Sequence, residues 1–260
     1  MNKRSDYIAV FDSGVGGISV LRELLRVMPE ERYLYFGDSA NAPYGTRTTE
    51  EVKRLTLAAA ARMMERGIKA LVVACNTATA AAIEDLRRTY PQTIIVGIEP
   101  ALKLAVDRFP GGCIGVMATP VTLREEKFHH LTDRFCQDCR MIPISAPGLA
   151  DLVEEGITSG PRMDGLLRPL LSPYVGKLDA MVLGCTHYPF AQKAIAQILG
   201  DRTQLLHGGV GTAQQTMRRL KAADLLYGGP GKVIVENSTD SPKLLALSRR
   251  LMEQKEEIYG

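Results

Sequence analysis

Ala70-Leu71-Val72-Val73-Ala74-Cys75-Asn76-Thr77-Ala78 and Ala180-Met181-Val182-Leu183-Gly184-Cys185-Thr186-His187-Tyr188 share one pattern, and that pattern decides the fold. In each, a run of five apolar or small residues ends at a cysteine and a polar triplet follows. A short apolar run bounded by polar residues is a strand buried on both faces, the kind found in parallel sheets. Working outward from Cys75, strand-like runs stand at 8–11, 33–36 and 94–98, alternating with helical stretches at 18–27, from about 49 to 66, and at 79–88. Around Cys185 the pattern repeats, with strand-like runs at 114–117 and 141–144 and helical stretches at 124–135, 150–155 and 190–199. Cys75 lies 67 positions after Ile8, and Cys185 lies 71 after Ile114.

Strands alternating with helices specify the α/β class, and two passes in register are an internal repeat. The expected architecture is two pseudo-symmetric parallel-sheet α/β domains facing each other across a central cleft. Residues 1–97 with 208–260 would form the half that carries Cys75, and residues 98–207 the half that carries Cys185. The Gly111-Gly112 pair after Pro110 reads as a junction between the two passes. In open α/β sheets, ligands bind beyond the C-terminal ends of the strands, which is where both cysteines fall.

Composition bounds the function. Of 260 residues, 45% are hydrophobic and 23% charged, values of an ordinary globular protein. The net charge of +3 is small, and no basic run is interleaved with aromatics, so no nucleic-acid partner is expected. No apolar run reaches membrane-spanning length, and the polar stretch before Ile8 has no signal-peptide core, so neither membrane nor export is expected. Five cysteines, an odd number spread along the chain, point to free thiols in a reducing cytoplasm.

A cysteine between a strand and a helix start meets helix N–H groups and the positive end of the helix dipole, which favour its thiolate. Asn76 or Thr77 is expected to cap the helix after Cys75, and Pro189 to sit in the first turn after Cys185. Two such thiols could form a disulfide, bind a metal, or act as an acid–base pair. The compartment disfavours the first, and the small number of ligands in view disfavours the second. The third has a specific use. Inverting a stereocentre by proton transfer needs one group per face, each acting as base in one direction and acid in the other. Asp12, at the end of the first strand, could assist a thiol or receive a substrate ammonium, and His187 could orient or activate Cys185. The hydroxyls and amides of Ser13, Asn76, Thr77, Thr119 and Thr186, with helix-start N–H groups, could hold a carboxylate. Physical reading alone yields a small anionic substrate.

The chain also resembles the glutamate racemases, within the aspartate/glutamate racemase family. The resemblance rests on Asp12-Ser13-Gly14-Val15-Gly16-Gly17, Gly37-Asp38-Ser39 with Pro43-Tyr44-Gly45, Cys75-Asn76-Thr77-Ala78 and Gly184-Cys185-Thr186-His187-Tyr188-Pro189. These blocks stand in the family's order and spacing from about Ile8 to past residue 200. The Gly-Val-Gly-Gly run is not a dinucleotide fingerprint, because Ser19 occupies its last glycine position.

The resemblance implies interconversion of L- and D-glutamate without pyridoxal phosphate or any other cofactor, supplying D-glutamate for peptidoglycan. It implies that Cys75 deprotonates the D-enantiomer and Cys185 the L-enantiomer. Asp12 and His187 match positions that assist the thiols, and Asp38 and Glu154 match supporting acidic positions, with Glu155 the alternative under a one-residue shift. Ser13, Pro43, Tyr44, Gly45, Asn76, Thr77, Thr119 and Thr186 match substrate-contacting positions. A homodimer is expected. His207-Gly208-Gly209 and Phe190 depart from the common pattern, and the short stretch before Ile8 implies independence of a cell-wall-precursor activator.

Cys136-Gln137-Asp138-Cys139, with His129-His130 upstream, imitates a metal or redox motif. No second pair follows it, so no metal site is expected there, and Cys113 reads as a core residue. Two alternatives stay open: a racemase of another small acidic amino acid such as aspartate, and a non-catalytic α/β protein that binds a carboxylate.

Overall fold

In the computed structural model, which describes residues 3–98, 101–124, 139–239 and 241–254, the apolar runs become strands of two all-parallel sheets. The chain divides into two units, Met1–Glu99 with Gly209–Glu253 and Pro100–Gly208. The first holds β1 (Tyr7–Asp12), β2 (Arg32–Gly37), β3 (Ile68–Val73), β4 (Ile94–Gly97) and β9 (Lys232–Asn237), in the order β4-β3-β1-β2-β9. The second holds β5 (Cys113–Ala118), β6 (Arg140–Ser145), β7 (Ala180–Leu183) and β8 (Gln204–His207), in the order β6-β5-β7-β8. Within each unit the first strand lies between the second and the third, and the fourth lies beyond the third. The repeat read from the sequence is therefore a repeat of strand order. In both sheets the order reverses between the first and third strands, where a doubly wound sheet opens its binding crevice.

The central strands form because their residues are buried on both faces. β1, β2 and β3 each show one partly exposed residue followed by five buried ones. Fully burying a branched or aromatic side chain contributes roughly 1.5–3 kcal/mol. In the first unit, α2 (Thr49–Met64) and α3 (Asn76–Thr89) pack over Phe11, Leu71 and Val73 on one face of the sheet. Meanwhile α1 (Ile18–Val27) packs against α9 (Gly209–Ala222) and α10 (Pro242–Glu253). The second unit is completed by α4 (Leu102–Arg108), α5 (Pro120–Arg124), α6 (Leu149–Glu154), α7 (Pro161–Leu171) and α8 (Gln192–Leu199).

Gly111-Gly112 is not the junction between the passes. Helix α4, which precedes it, already buries Leu102, Ala105 and Val106 against Ile114, Val116, Ala180 and Val182 of the second sheet. The glycine pair is instead the turn from α4 into β5. Sequence reading passed over six of the described elements: α4, α7, β8, α9, β9 and α10. The helix expected at 124–135 lies outside the described residues except for its first.

At the N-terminal ends of the strands, β3 carries a buried ion pair. Lys69 Nζ donates to Glu31 Oε2 at 2.6 Å and to the carbonyl oxygens of Arg4 and Leu225 at 2.7 and 2.8 Å. All three ammonium hydrogens thus have acceptors inside the protein. The ammonium ties together the segments before β1, before β2 and after α9, at the end of β3 opposite Cys75.

Candidate active site

In the first unit, β1 ends at Asp12 beside the end of β3, at the point where the strand order reverses. Asp12 is fully buried, and its Oδ1 accepts the Gly14 N–H at 2.9 Å, turning the chain back on itself. A Cβ on Gly17 would lie 2.6 Å from the Asp12 Cβ, so this approach of the α1 start to Asp12 requires glycine. Gly17 itself occupies the N-cap of α1, without a side-chain cap; the Asp12 carboxylate takes the Gly14 N–H and the Ser13 hydroxyl faces Cys75.

Cys75 is buried and is itself the N-cap of α3, with extended backbone (φ −69°, ψ 123°). Its sulfur accepts the Ala78 N–H at 3.4 Å and lies 3.7 Å from Ser13 Oγ. An N–H in the first turn of a 14-residue helix therefore points at the thiol, an arrangement that favours negative charge on sulfur. The expectation that Asn76 or Thr77 caps this helix is corrected: the cysteine takes the cap, leaving both as the first helical residues. The Asn76 Oδ1 is buried and finds no hydrogen-bond partner among the described residues. An acceptor in that state costs about 1–3 kcal/mol, which a bound donor such as an ammonium group would offset.

A second loop closes on the same strand ends. The Asp38 N–H donates to the Asp12 carbonyl oxygen at 2.9 Å. The Asp38 carboxylate accepts the Tyr44 hydroxyl at 2.7 Å, and Asn41 Nδ2 lies 3.1 Å from both of its oxygens. Burial pushes the Tyr44 phenol far up, and the Asp38 hydrogen bond and charge add to this, as do the charges of Cys75 and Asp12. Tyr44 thus remains a proton donor to Asp38. Pro43 is exposed and Gly45 half-buried on this turn. Sequence reading passed over Asn41, although Asp38-Ser39-Ala40-Asn41 has the composition of a side-chain-stabilised turn.

In the second unit, β7 ends at Leu183 and the Gly184 N–H donates to the Met117 carbonyl oxygen of β5 at 2.7 Å. Cys185 follows, half-buried, with its sulfur 3.5 Å from His187 Nδ1. The other ring nitrogen, Nε2, lies 2.8 Å from Glu154 Oε1 on α6. Burial opposes a charge on this imidazole, yet the hydrogen bonds to Cys185 and Glu154 and the charges of both more than offset it. The His187 pKa is held well above the ordinary histidine value. Glu155 points elsewhere and pairs with Arg162 at 2.6 Å, so the geometry places Glu154, not its neighbour, beside His187.

No α-helix starts directly after Cys185. The chain makes a 3-10 turn, Tyr188–Ala191, before α8 begins at Gln192, so the helix dipole expected at this thiol is replaced by the histidine. Pro189 lies in that turn, where its missing N–H leaves no ladder bond unmade. Tyr188 is fully buried; its hydroxyl donates to the Ala146 carbonyl oxygen at 3.2 Å, which ties the turn to the loop before α6. Thr186 is buried. Thr119, just past β5, has its Oγ1 2.9 Å from Thr122 Oγ1 and 3.3 Å from the Thr122 backbone nitrogen, in the manner of a cap on α5.

Cys139 is buried in the apolar cluster under α4, whereas Cys113, expected in the core, is only half-buried at the start of β5. Cys136, His129 and His130 lie outside the described residues. Among the described residues, no cluster of three His, Cys, Asp or Glu side chains could hold a metal, and no helix is long and apolar enough to cross a membrane.

The model of the family described as Asp/Glu/Hydantoin racemase matches residues 13–216. The glutamate racemase of Clostridium acetobutylicum is 45% identical over 256 residues, spanning 97% of this chain and 100% of its own. The crystal structure of the Thermus thermophilus glutamate racemase in complex with beta-chloro-D-alanine superposes with a TM-score of 0.82 at 35% identity, covering 98% of this chain and 96% of that one. The Escherichia coli glutamate racemase in complex with L-glutamate and the activator UDP-MurNAc-ala gives a TM-score of 0.84 at 29% identity, covering 94% and 95%.

Proposed function

The chain belongs to the Asp/Glu/Hydantoin racemase family, and we propose that it interconverts L- and D-glutamate by proton transfer between the α-carbon and the thiols of Cys75 and Cys185. The observation that carries this reading is the equivalence of the two cysteines. Each follows the third strand of its sheet at the point where strand order reverses, and each has its own polar support. A carboxylate-binding protein would have no use for two such thiols. Glutamate rather than aspartate is favoured by a relative of that specificity at 45% identity over nearly the whole chain.

With D-glutamate, Cys75 as thiolate removes the α-proton: the Cα–H bond breaks, an S–H bond forms, and the electron pair passes toward the substrate carboxylate. Cys185 as thiol then gives its proton to the other side of the α-carbon and becomes the thiolate. L-glutamate reacts by the same steps in reverse, so each thiol serves as base in one direction and acid in the other. A protonated His187, held by Glu154, donates to the Cys185 thiolate. Around Cys75, the helix N–H groups, Ser13 and the Asp12–Asp38 pair shape the site. Ser13, Pro43, Tyr44, Gly45, Asn76, Thr77, Thr119 and Thr186 hold the substrate's carboxylates and ammonium. A cytoplasmic homodimer that supplies D-glutamate to peptidoglycan completes the reading.

The test is incubation of the purified chain with L-glutamate in deuterated water without added cofactor. D-glutamate carrying α-deuterium is expected. Absence of both D-glutamate and α-exchange would sink the reading, and faster turnover of aspartate would shift the substrate.

A further inference from the structure

The geometry points to Asn237, at the end of β9, as a positioning residue that holds the Asp38–Tyr44 turn in its working shape. It rests on the racemase reading only for what the turn does, not for how the turn is held. β9 pairs in parallel with β2, and Gly37 sits directly opposite Asn237. A Cβ on Gly37 would lie 3.1 Å from Asn237 Nδ2 and 2.5 Å from the Gly14 carbonyl oxygen, so glycine leaves the room the amide occupies.

The amide is buried, 4% exposed, and both of its ends are used. Nδ2 donates to Ser39 Oγ at 2.8 Å, while Oδ1 accepts the Thr239 N–H at 3.0 Å and the Thr239 hydroxyl at 2.8 Å. The next residue repeats the grip: Ser238 Oγ accepts the Ala40 N–H at 2.9 Å, and the Ser238 N–H donates to the Gly37 carbonyl oxygen at 2.9 Å. The turn so gripped, Ser39–Asn41, starts one residue after Asp38 and contains Asn41, whose amide contacts the Asp38 carboxylate that receives the Tyr44 hydroxyl.

A buried amide bonded at both ends fixes a loop more tightly than backbone pairing at an edge strand, because losing either end leaves a desolvated polar group unpaired. A substrate-holding loop that is no longer fixed must be ordered when substrate binds, and that cost weakens binding. Cys75 is held by β3, α3 and Ser13, and Asp38 keeps its own backbone bond to Asp12, so loosening the rest of the turn acts on substrate binding more than on the proton transfers.

The test compares Asn237→Ala, Asn237→Asp and the unaltered chain in racemisation kinetics and in hydrogen exchange of residues 38–46. Asn237→Ala should raise KM for glutamate about tenfold and lower kcat less than about threefold, since an interaction lost before the chemical step appears in KM. Asn237→Asp should bring KM back to within about threefold of the unaltered value, because a carboxylate accepts from both the Thr239 N–H and the Ser39 hydroxyl. The 38–46 segment should exchange faster in Asn237→Ala, with or without substrate.

A KM unchanged in Asn237→Ala overturns the proposal. So does a fall in kcat alone, which is what fewer folded molecules would give, and so does unaltered exchange of the turn. An unaltered chain that does not racemise glutamate would overturn the racemase reading alone; the exchange comparison still decides the role of Asn237.

Discussion

Cys75 and Cys185 stand at the same point of the same strand order, yet the chain supports them by different physics. After Cys75 the backbone enters a 14-residue helix at once, and the sulfur takes the place of a capping oxygen, 3.4 Å from the Ala78 N–H. After Cys185 it makes a 3-10 turn, and the sulfur's partner is an imidazole locked to a carboxylate. The first device is neutral and built into the backbone. The second is an ionic relay that titrates. The side chains near Cys75 explain the asymmetry in part: Asp12 and Asp38 are carboxylates already buried on that side. Repetition of a fold thus supplied two thiol positions, and local sequence then tuned each in its own way.

The comparison breaks outright if only one thiol matters. Cys75→Ser and Cys185→Ser should each cut racemisation by on the order of 10³-fold or more, since a hydroxyl is a far poorer base near neutral pH and general acid–base catalysis contributes about 10²–10⁴. The measurement is circular-dichroism or coupled-enzyme assay from both enantiomers. One serine variant with full activity would remove that thiol from the mechanism and leave its repeat partner as the sole reactive cysteine.

The ionic side is sharpened by removing its carboxylate. Glu154→Gln should lower kcat/KM about 10- to 100-fold, the range of a lost hydrogen bond to a charged group. The loss should be equal in the two directions, because the equilibrium between enantiomers ties the two ratios together. Glu155→Gln, which weakens an exposed pair with Arg162, should stay within about twofold. A reversal of that order would reassign the partner of His187.

Protonation distinguishes the two supports in stability as well. The His187 pKa is raised in the folded chain above its unfolded value of about 6.5. Its stabilising contribution is therefore fully present below about pH 6.5 and is lost as pH rises through the folded value. Melting temperatures of the unaltered chain and of His187→Asn should differ most at pH 6 and converge on the alkaline side. A gap that widened toward high pH would mean that the ring is neutral in the fold.

Much of this asymmetry lay beyond sequence reading, for reasons that can be named. β1, β2, β3, β5 and β7 were legible because a strand covered on both faces must be apolar throughout, and loops rich in Gly, Ser and Asn mark their ends. β9 was not, because it is an edge strand: Lys232–Asn237 is half-exposed along most of its length, and its partner β2 lies about 200 positions away. The relay was half legible. His187 sits two residues from its thiol, but Glu154 is 33 residues away on another element, and only family resemblance named it. The helix cap at Cys75 was foreseen as chemistry and misassigned in detail, since sulfur is an uncommon cap and Asn and Thr are favoured ones. Nothing local distinguishes a strand end that runs into an α-helix from one that first makes a 3-10 turn, except Pro189.

The smallest effect tests whether the neutral support at Cys75 is as distributed as the geometry implies. Ser13 Oγ lies 3.7 Å from the sulfur, a long contact, while the Ala78 N–H is closer and cannot be removed by a side-chain change. Ser13→Ala should therefore cost only about three- to tenfold in kcat/KM, the size of one ordinary hydrogen bond. That is less than the cost of Glu154→Gln on the other side. The pH profile should keep its shape, because a hydroxyl and a backbone amide do not titrate in the working range. A loss of 100-fold or more, or a shifted acidic limb, would mean that Ser13 does for Cys75 what His187 does for Cys185. The two thiols would then rest on equivalent single partners, and the backbone would be a lesser part of the design at Cys75.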